Sequence, residues 1–166
     1  MIYFSSDFHF GHSKIIELCN RPFQSTHEMN STIVDNINAK VKTNDIFYVL
    51  GDFCFNNPSR YLDYINCKNI ILIIGNHDFR NRSGYPKKIL YSLYKEVHQF
   101  LIINVNGVRF SLFHYPLSSW PTGTIHLHGH THCLCKLKKN RIDVGVDNWN
   151  FQPLSVEEIL KINEKL

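Results

Sequence analysis

Apolar residues in this chain fall in short dense runs rather than long periodic stripes. IYFSS (2–6), IFYVL (46–50) and IILII (70–74) are rich in β-branched and aromatic side chains, with little polar alternation. That pattern predicts strands covered on both faces. Helical patterns lie between them. Ser25-x-x-Glu28 is a capping box opening a helix through MNSTIVDNINAKV (29–41), and Pro58 suits the first turn of a helix over about 58–67. The first half therefore reads β-α-β-α-β, with parallel pairing expected.

The second half has a different rhythm. FLIINV (100–105) and VRFSLF (108–113) flank Asn106-Gly107, a strong hairpin signal. TIHLH (124–128), CLCKL (133–137) and IDVGV (142–146) read as further strands, the last two joined by a polar turn at 138–141. This half is expected to be rich in antiparallel pairing. Ser155-x-x-Glu158 caps a closing helix that carries Val156, Ile159, Leu160 and Ile162 inward. No repeat, low-complexity tract or linker interrupts the pattern, so residues 1–166 read as one α/β domain.

Composition narrows the class. With 43% hydrophobic and 19% charged residues, the chain is globular rather than disordered. A formal charge of +4 eases contact with an anion but is no nucleic-acid arm. The opening MIYFSSD lacks the basic flank and apolar length of a secretory signal. No stretch reaches the roughly 18 apolar residues of a membrane span. The five scattered cysteines argue against a disulfide framework, and Cys133-x-Cys135 has no second pair for a soft-metal site. A cytoplasmic protein with no membrane partner is expected.

The polar residues carry the chemistry, and they follow the apolar runs. IYFSS leads to Asp7-Phe8-His9, IFYVL to Gly51-Asp52, and IILII to Gly75-Asn76-His77-Asp78. VRFSLF leads to His114, and TIHLH to Gly129-His130-Thr131-His132. Ligand sites in α/β sheets form beyond the carboxyl ends of strands, so five such ends can meet at one point. Asp, His and Asn without thiolate suit borderline divalent metals such as manganese, iron, zinc or nickel. The glycines allow sharp turns and close backbone approach.

In that order, Asp7-x-His9, Gly51-Asp52, Gly75-Asn76-His77-Asp78, His114 and Gly129-His130-x-His132 resemble the five motifs of calcineurin-like metallophosphoesterases. SSDFHFGH, Asn20-Arg21-Pro22-Phe23 and VGVDNWN look like small stand-alone members from bacteria and phages. The resemblance implies two mixed β-sheets packed as a sandwich, with helices on the outer faces. It implies two divalent metal ions: Asp7, His9 and His132 on one, Asn76, His114 and His130 on the other, and Asp52 between them. The implied reaction is in-line attack on phosphorus by a bridging hydroxide, with His77 as general acid oriented by Asp78. A phosphodiesterase is the leading expectation. A phosphomonoesterase or nuclease is the alternative, and a non-catalytic scaffold of this fold comes behind them. The expected substrate is a small-molecule or nucleotide phosphoester; nucleic acid is allowed but not indicated. Phe53-Cys54-Phe55 departs from the family, which often places a charged residue there.

Other residues stay open between a role and a bland explanation. His12 is a candidate for substrate contact or for capping the helix after it. Arg80 and, equally, Arg21 are candidate phosphate contacts, against ordinary surface arginines. His128 is a candidate partner of a ligand, and His126 is assigned to composition alone. The basic turn at 136–141 reads as solvated, and Trp149 and Phe151 as packing anchors.

Overall fold

The computed structural model describes residues 1–79, 88–132 and 134–166. Two mixed sheets face each other. The first has β1 (Ile2–Ser5), β2 (Ile46–Val49), β3 (Asn69–Ile73), β4 (Glu96–His98) and β9 (Leu154–Ser155), in the order β4-β3-β2-β1-β9. The second has β5 (Phe100–Val105), β6 (Val108–Phe113), β7 (Ile125–His128) and β8 (Arg141–Asp143), in chain order. The helices are α1 (Lys14–Leu18), α2 (Thr26–Lys40), α3 (Ser59–Leu62), α4 (Leu90–Leu93) and α5 (Val156–Glu164). This is the two-sheet architecture the resemblance implied. No helix among the described residues is long and apolar enough to cross a membrane.

The strands β1, β2 and β3 pair in parallel, with Phe4 opposite Tyr48 and Tyr48 opposite Ile71. A period of two sends alternate residues to opposite faces. Phe4, Tyr48, Ile71 and Ile73 enter the layer between the sheets and meet Phe110, Leu112, Leu127 and Ile142. Tyr3, Phe47, Val49, Ile70 and Leu72 enter the other layer and meet Met29, Ile33 and Ile37 of α2. Both faces are buried, which is why these strands read as unbroken apolar runs.

Local signals hold with adjustments. Ser25 caps α2 by accepting the Glu28 N–H, but Glu28 Oε2 takes the N–H of Gln24, one residue earlier than a full box requires. The Ser155–Glu158 box is complete. Helix α3 stops at Leu62 instead of running to 67. From Tyr64 to Lys68 exposure alternates, with Ile65 and Cys67 buried, so the chain is already extended before β3.

The second half differs more. The hairpin β5–β6 is present, with positive φ at Asn106 (51°) and Gly107 (86°) as a tight primed turn demands. However, β6–β7 and β7–β8 are both parallel. The antiparallel expectation therefore holds for the hairpin and for β9, which pairs antiparallel with β1, but not within the rest of the second sheet. Segments 114–124 and 129–140 are the long crossovers that parallel neighbours require. Residues 134–137 form no strand; the turn at 138–141 survives as a single Lys138–Arg141 bridge. Strand β4 is half-exposed, so it left no apolar run to read.

Candidate metal centre

The parallel order points the carboxyl ends of β1, β2 and β3 the same way. The ends of β6 and β7 meet them across the sandwich. Backbone bonds tie these loops together: Asp7 N–H to Gly51 O (3.1 Å), His9 N–H to Asp52 O (3.0 Å), and Gly129 N–H to His114 O (2.9 Å). Asp7 Oδ2 accepts the N–H of His130 at 2.8 Å, which joins the two sheets at the site.

The turns that carry the donors are conformationally costly. Asp7 (φ 59°), His9 (52°), Asp52 (54°), His130 (72°) and His132 (45°) all lie in the left-handed region. Non-glycine residues held there cost about 1–3 kcal/mol each and cluster at functional sites. Space is equally constrained. A Cβ on Gly129 would overlap Ser6 Oγ and Asp7 Oδ2, and one on Gly75 would overlap Asp52 Oδ1. Glycine is needed there for close approach, not for its backbone angle.

All seven expected ligands come together. Asp7, His9 and His132 offer donor atoms that lie within 4.8 Å of one another. Asn76 Oδ1 is 3.0 Å from His114 Nε2 and 3.0 Å from His130 Nδ1. Asp52 Oδ2 lies between the groups, 3.5 Å from His9 Nε2 and 3.6 Å from His114 Nε2.

Hydrogen bonds fix which nitrogens face inward. His114 Nδ1 is 2.7 Å from Leu50 O. A carbonyl only accepts, so Nδ1 carries a proton, and Nε2 is the nitrogen turned toward Asn76 Oδ1 and Asp52 Oδ2. His132 Nδ1 donates likewise to Asp147 Oδ2 at 2.8 Å. Asp7 Oδ1 and both ring nitrogens of His9 are buried without a hydrogen-bond partner among the described residues. Buried polar atoms are rarely left so. Buried nitrogens and a carboxylate oxygen without partners, beside converging imidazole and carboxylate groups, are the environment a cation satisfies. Burial pushes the Asp7 carboxyl up to about 6, with His114 pulling the other way, and pushes the His9 imidazole down to about 2. A pocket that resists either charge alone fits ligands that share a bound cation.

His77 sits at the rim, 35% exposed at its side chain, with Nε2 3.9 Å from Asp52 Oδ2. Its N–H donates to Asp52 Oδ1 at 2.9 Å. Asp78 is buried, and its Oδ2 accepts the N–H groups of Gly75 (2.8 Å) and Asp52 (3.0 Å). These contacts make it a brace between two ligand-bearing loops, a task not foreseen for it. Burial and the Asp52 charge raise its pKa to about 6. His12 stacks on Phe55 at 4.5 Å, with its ring 5.5 Å from His9. Arg80 and Cys133 lie outside the described residues.

Two residues were missed. Arg21 is 5% exposed, not a surface arginine. Its guanidinium grips both Asp147 oxygens (2.7 and 2.9 Å) and donates to the carbonyls of Asp7 (2.8 Å) and Phe8 (3.0 Å). Asp147 in turn holds His132. Arg21 was expected at most as a phosphate contact, and Asp147 drew notice only through the likeness of its segment. His126 and His128 are buried as well. His126 Nδ1 reaches Ser111 O (3.1 Å) while Nε2 accepts the Leu117 N–H (3.2 Å), so it is structural rather than incidental. His128 Nδ1 donates to Gly129 O at 3.0 Å and steadies the turn before His130. Trp149 donates to Asp143 O, and Phe151 packs on Phe23, as anchors would.

An uncharacterized protein of Methanocaldococcus jannaschii is 35% identical over 178 aligned residues, covering 99% of this chain and 92% of that one. The chain belongs to that protein's family. A structure of a protein of unknown function from Aquifex aeolicus superposes with a TM-score of 0.77 at 27% identity, covering 98% of both chains. Yfce, a phosphoesterase from E. coli, matches at 14% identity and a TM-score of 0.46, over 87% of this chain and 77% of that one, too slight to carry an argument. No model of a protein family matches the chain. The present chain carries its ordered Asp, His and Asn motifs on two mixed sheets, as the resemblance to calcineurin-like metallophosphoesterases led one to expect.

Proposed function

We propose that this protein is a metal-dependent phosphoester hydrolase with a two-metal site, acting on phosphodiesters. The observation that carries the reading is the convergence of His114 Nε2, Asn76 Oδ1, His130 Nδ1 and Asp52 Oδ2, with His114 Nε2 3.0 Å from Asn76 Oδ1 and 3.6 Å from Asp52 Oδ2 and His130 Nδ1 3.0 Å from Asn76 Oδ1. Asp7, His9 and His132 would hold one cation and Asn76, His114 and His130 the other, with Asp52 shared. Two divalent ions, when bound, supply electrophilic stabilisation of a phosphoryl group and a hydroxide near neutral pH. The nitrogen and oxygen donor set suits manganese, iron, zinc or nickel, and manganese is the first ion to load.

The chain's own residues do the rest. Only Asp7 and Asp52 among the ligands carry negative charge, so two divalent ions leave the site positive and attractive to phosphate. His77 stands at the open edge, fixed by its N–H to Asp52 Oδ1, and would pass a proton to the leaving oxygen. Asp78 keeps the 52 and 75 loops in register beneath it. The exposed rim at His77 and His130 leaves room for substituents on both phosphate esters, which favours a diester over a monoester.

The test compares a chromogenic phosphodiester with a monoester after loading with Mn, Ni, Zn or Mg, and adds single-stranded DNA and RNA. Preferred turnover of the small diester with Mn, lost in Asp52→Asn, is expected. Full metal content with no turnover of either ester would leave a scaffold; a monoester or nucleic-acid preference would replace the diester. His77→Ala is expected to retain metal and lose about 10²–10⁴-fold on a diester with an alkyl leaving group. Unchanged turnover there removes His77 as the acid.

A further inference from the structure

The three apolar residues after Asp52 have separate fates. Phe53 is wholly buried and Cys54 nearly so, but Phe55 is 49% exposed. A single exposed phenyl needs no explanation; the surroundings of this one do. It stacks nearly parallel on His12, at 4.5 Å and 14°. It lies 6.2 Å from the ring of His77, and His12 lies 6.0 Å from that ring. The pair is set by backbone. Phe10 and Cys54 form a parallel bridge, and Phe55 N–H donates to Phe10 O at 2.9 Å. Gly11 turns the chain between Phe10 and His12 with φ +77°, where a Cβ would press on Tyr61 Oη at 2.5 Å. An aromatic surface is thereby built onto the His77 edge of the acceptor cluster.

We propose that Phe55, backed by His12, is a specificity-determining shelf on which a nucleobase stacks, so that the preferred substrate is a nucleotide phosphodiester whose nucleoside is the leaving alcohol. The inference rests on the phosphoesterase reading and names its substrate class. With the phosphate beside Asp52 and the leaving oxygen at His77, the ribose crosses from His77 to the shelf and the base meets the open part of Phe55. Stacking on an aromatic ring suits every base, since each has a π-face, so the shelf selects nucleosides without selecting among them.

The experiment uses the Mn-loaded protein and two diesters with matched leaving alcohols: the methyl phosphodiester of the adenosine 5′-hydroxyl, and its counterpart with methyl riboside in place of adenosine. Wild type is expected to favour the adenosine diester about tenfold in kcat/KM, mainly through KM. Phe55→Ala brings that ratio to about one, and Phe55→Trp preserves it. A wild-type ratio near one, a ratio that survives Phe55→Ala, or an equal loss on both diesters overturns the shelf. A second arm titrates AMP and ribose 5-phosphate calorimetrically into the same proteins, with the same tenfold difference and the same loss expected. If neither diester is hydrolysed but AMP shows that preference, the phosphoesterase reading falls and the shelf stands. If both are hydrolysed alike and the two ligands bind alike, the shelf falls and the phosphoesterase reading stands.

Discussion

At the scale of single residues, the site rests on a buried ion pair as much as on its ligands. Arg21 and Asp147 are 126 positions apart, yet together they hold the Asp7 carbonyl and the His132 ring. Removing one member of a buried pair leaves an uncompensated charge and costs about 3–5 kcal/mol. Arg21→Met is therefore expected to lower unfolding free energy by that amount in urea titrations. Adding Asp147→Leu to Arg21→Met should recover part of the loss, because no charge is then left unpaired, while the Asp7 and Phe8 carbonyls and the His132 ring still lack their partners. Metal affinity should not recover, since His132 has lost the acceptor that orients it, a loss worth about 10–100-fold. Stability and affinity recovering together would show that the pair supports the fold alone. The ligands were legible because each adjoins an apolar run; Arg21 and Asp147 were not, because nothing local to either residue encodes a partner so distant.

At the scale of the element, β7 shows how a strand's surroundings outweigh its composition. IHLH is buried at every position, which a half-exposed antiparallel strand with histidine outward would not be. Parallel neighbours on both sides bury it, and that arrangement was invisible while the hairpin dominated the reading of the second half. His126 then has to be accommodated neutral. Burial chiefly drives its pKa down to about 4, against the hydrogen bond to Ser111 O. Between the ordinary value near 6.5 and 4, the unfolded chain takes up a proton that the folded chain declines. Stability therefore falls as pH drops through that window and levels off below it, by about 3 kcal/mol from this one ring. Other groups titrate in the same range, so the informative quantity is the difference between wild type and His126→Gln. The wild type should lose about 3 kcal/mol more from pH 6.5 to 4; parallel stability curves would show that the ring opens to water before it is protonated.

At the scale of the whole molecule, the candidate ligands divide between the sheets. Asp7, His9, Asp52 and Asn76 follow β1, β2 and β3, whereas His114, His130 and His132 follow β6 and β7. Their order along the chain was readable because a parallel strand delivers its end to the same edge each time. That five strand ends could meet was readable too, but that they belong to two facing sheets came only from the resemblance, since no local pattern records how one sheet lies on another. Cations shared across that seam would bind only the folded chain, and binding to the native state alone stabilises it by RT ln(1 + [L]/Kd). At a thousandfold excess over Kd that is about 4 kcal/mol, or roughly 10 °C in melting temperature for a chain of this size. Melting temperature should therefore climb with Mn concentration and fall back on chelation. Asp52→Asn should abolish the increment, because the oxygen between the two groups loses its charge. Phe55→Ala should keep it, since that ring faces the substrate side. A melting temperature indifferent to Mn, Zn and Ni alike would mean that the strained turns and the unpartnered Asp7 and His9 atoms are held by the protein alone, and the two-metal reading would fall with it.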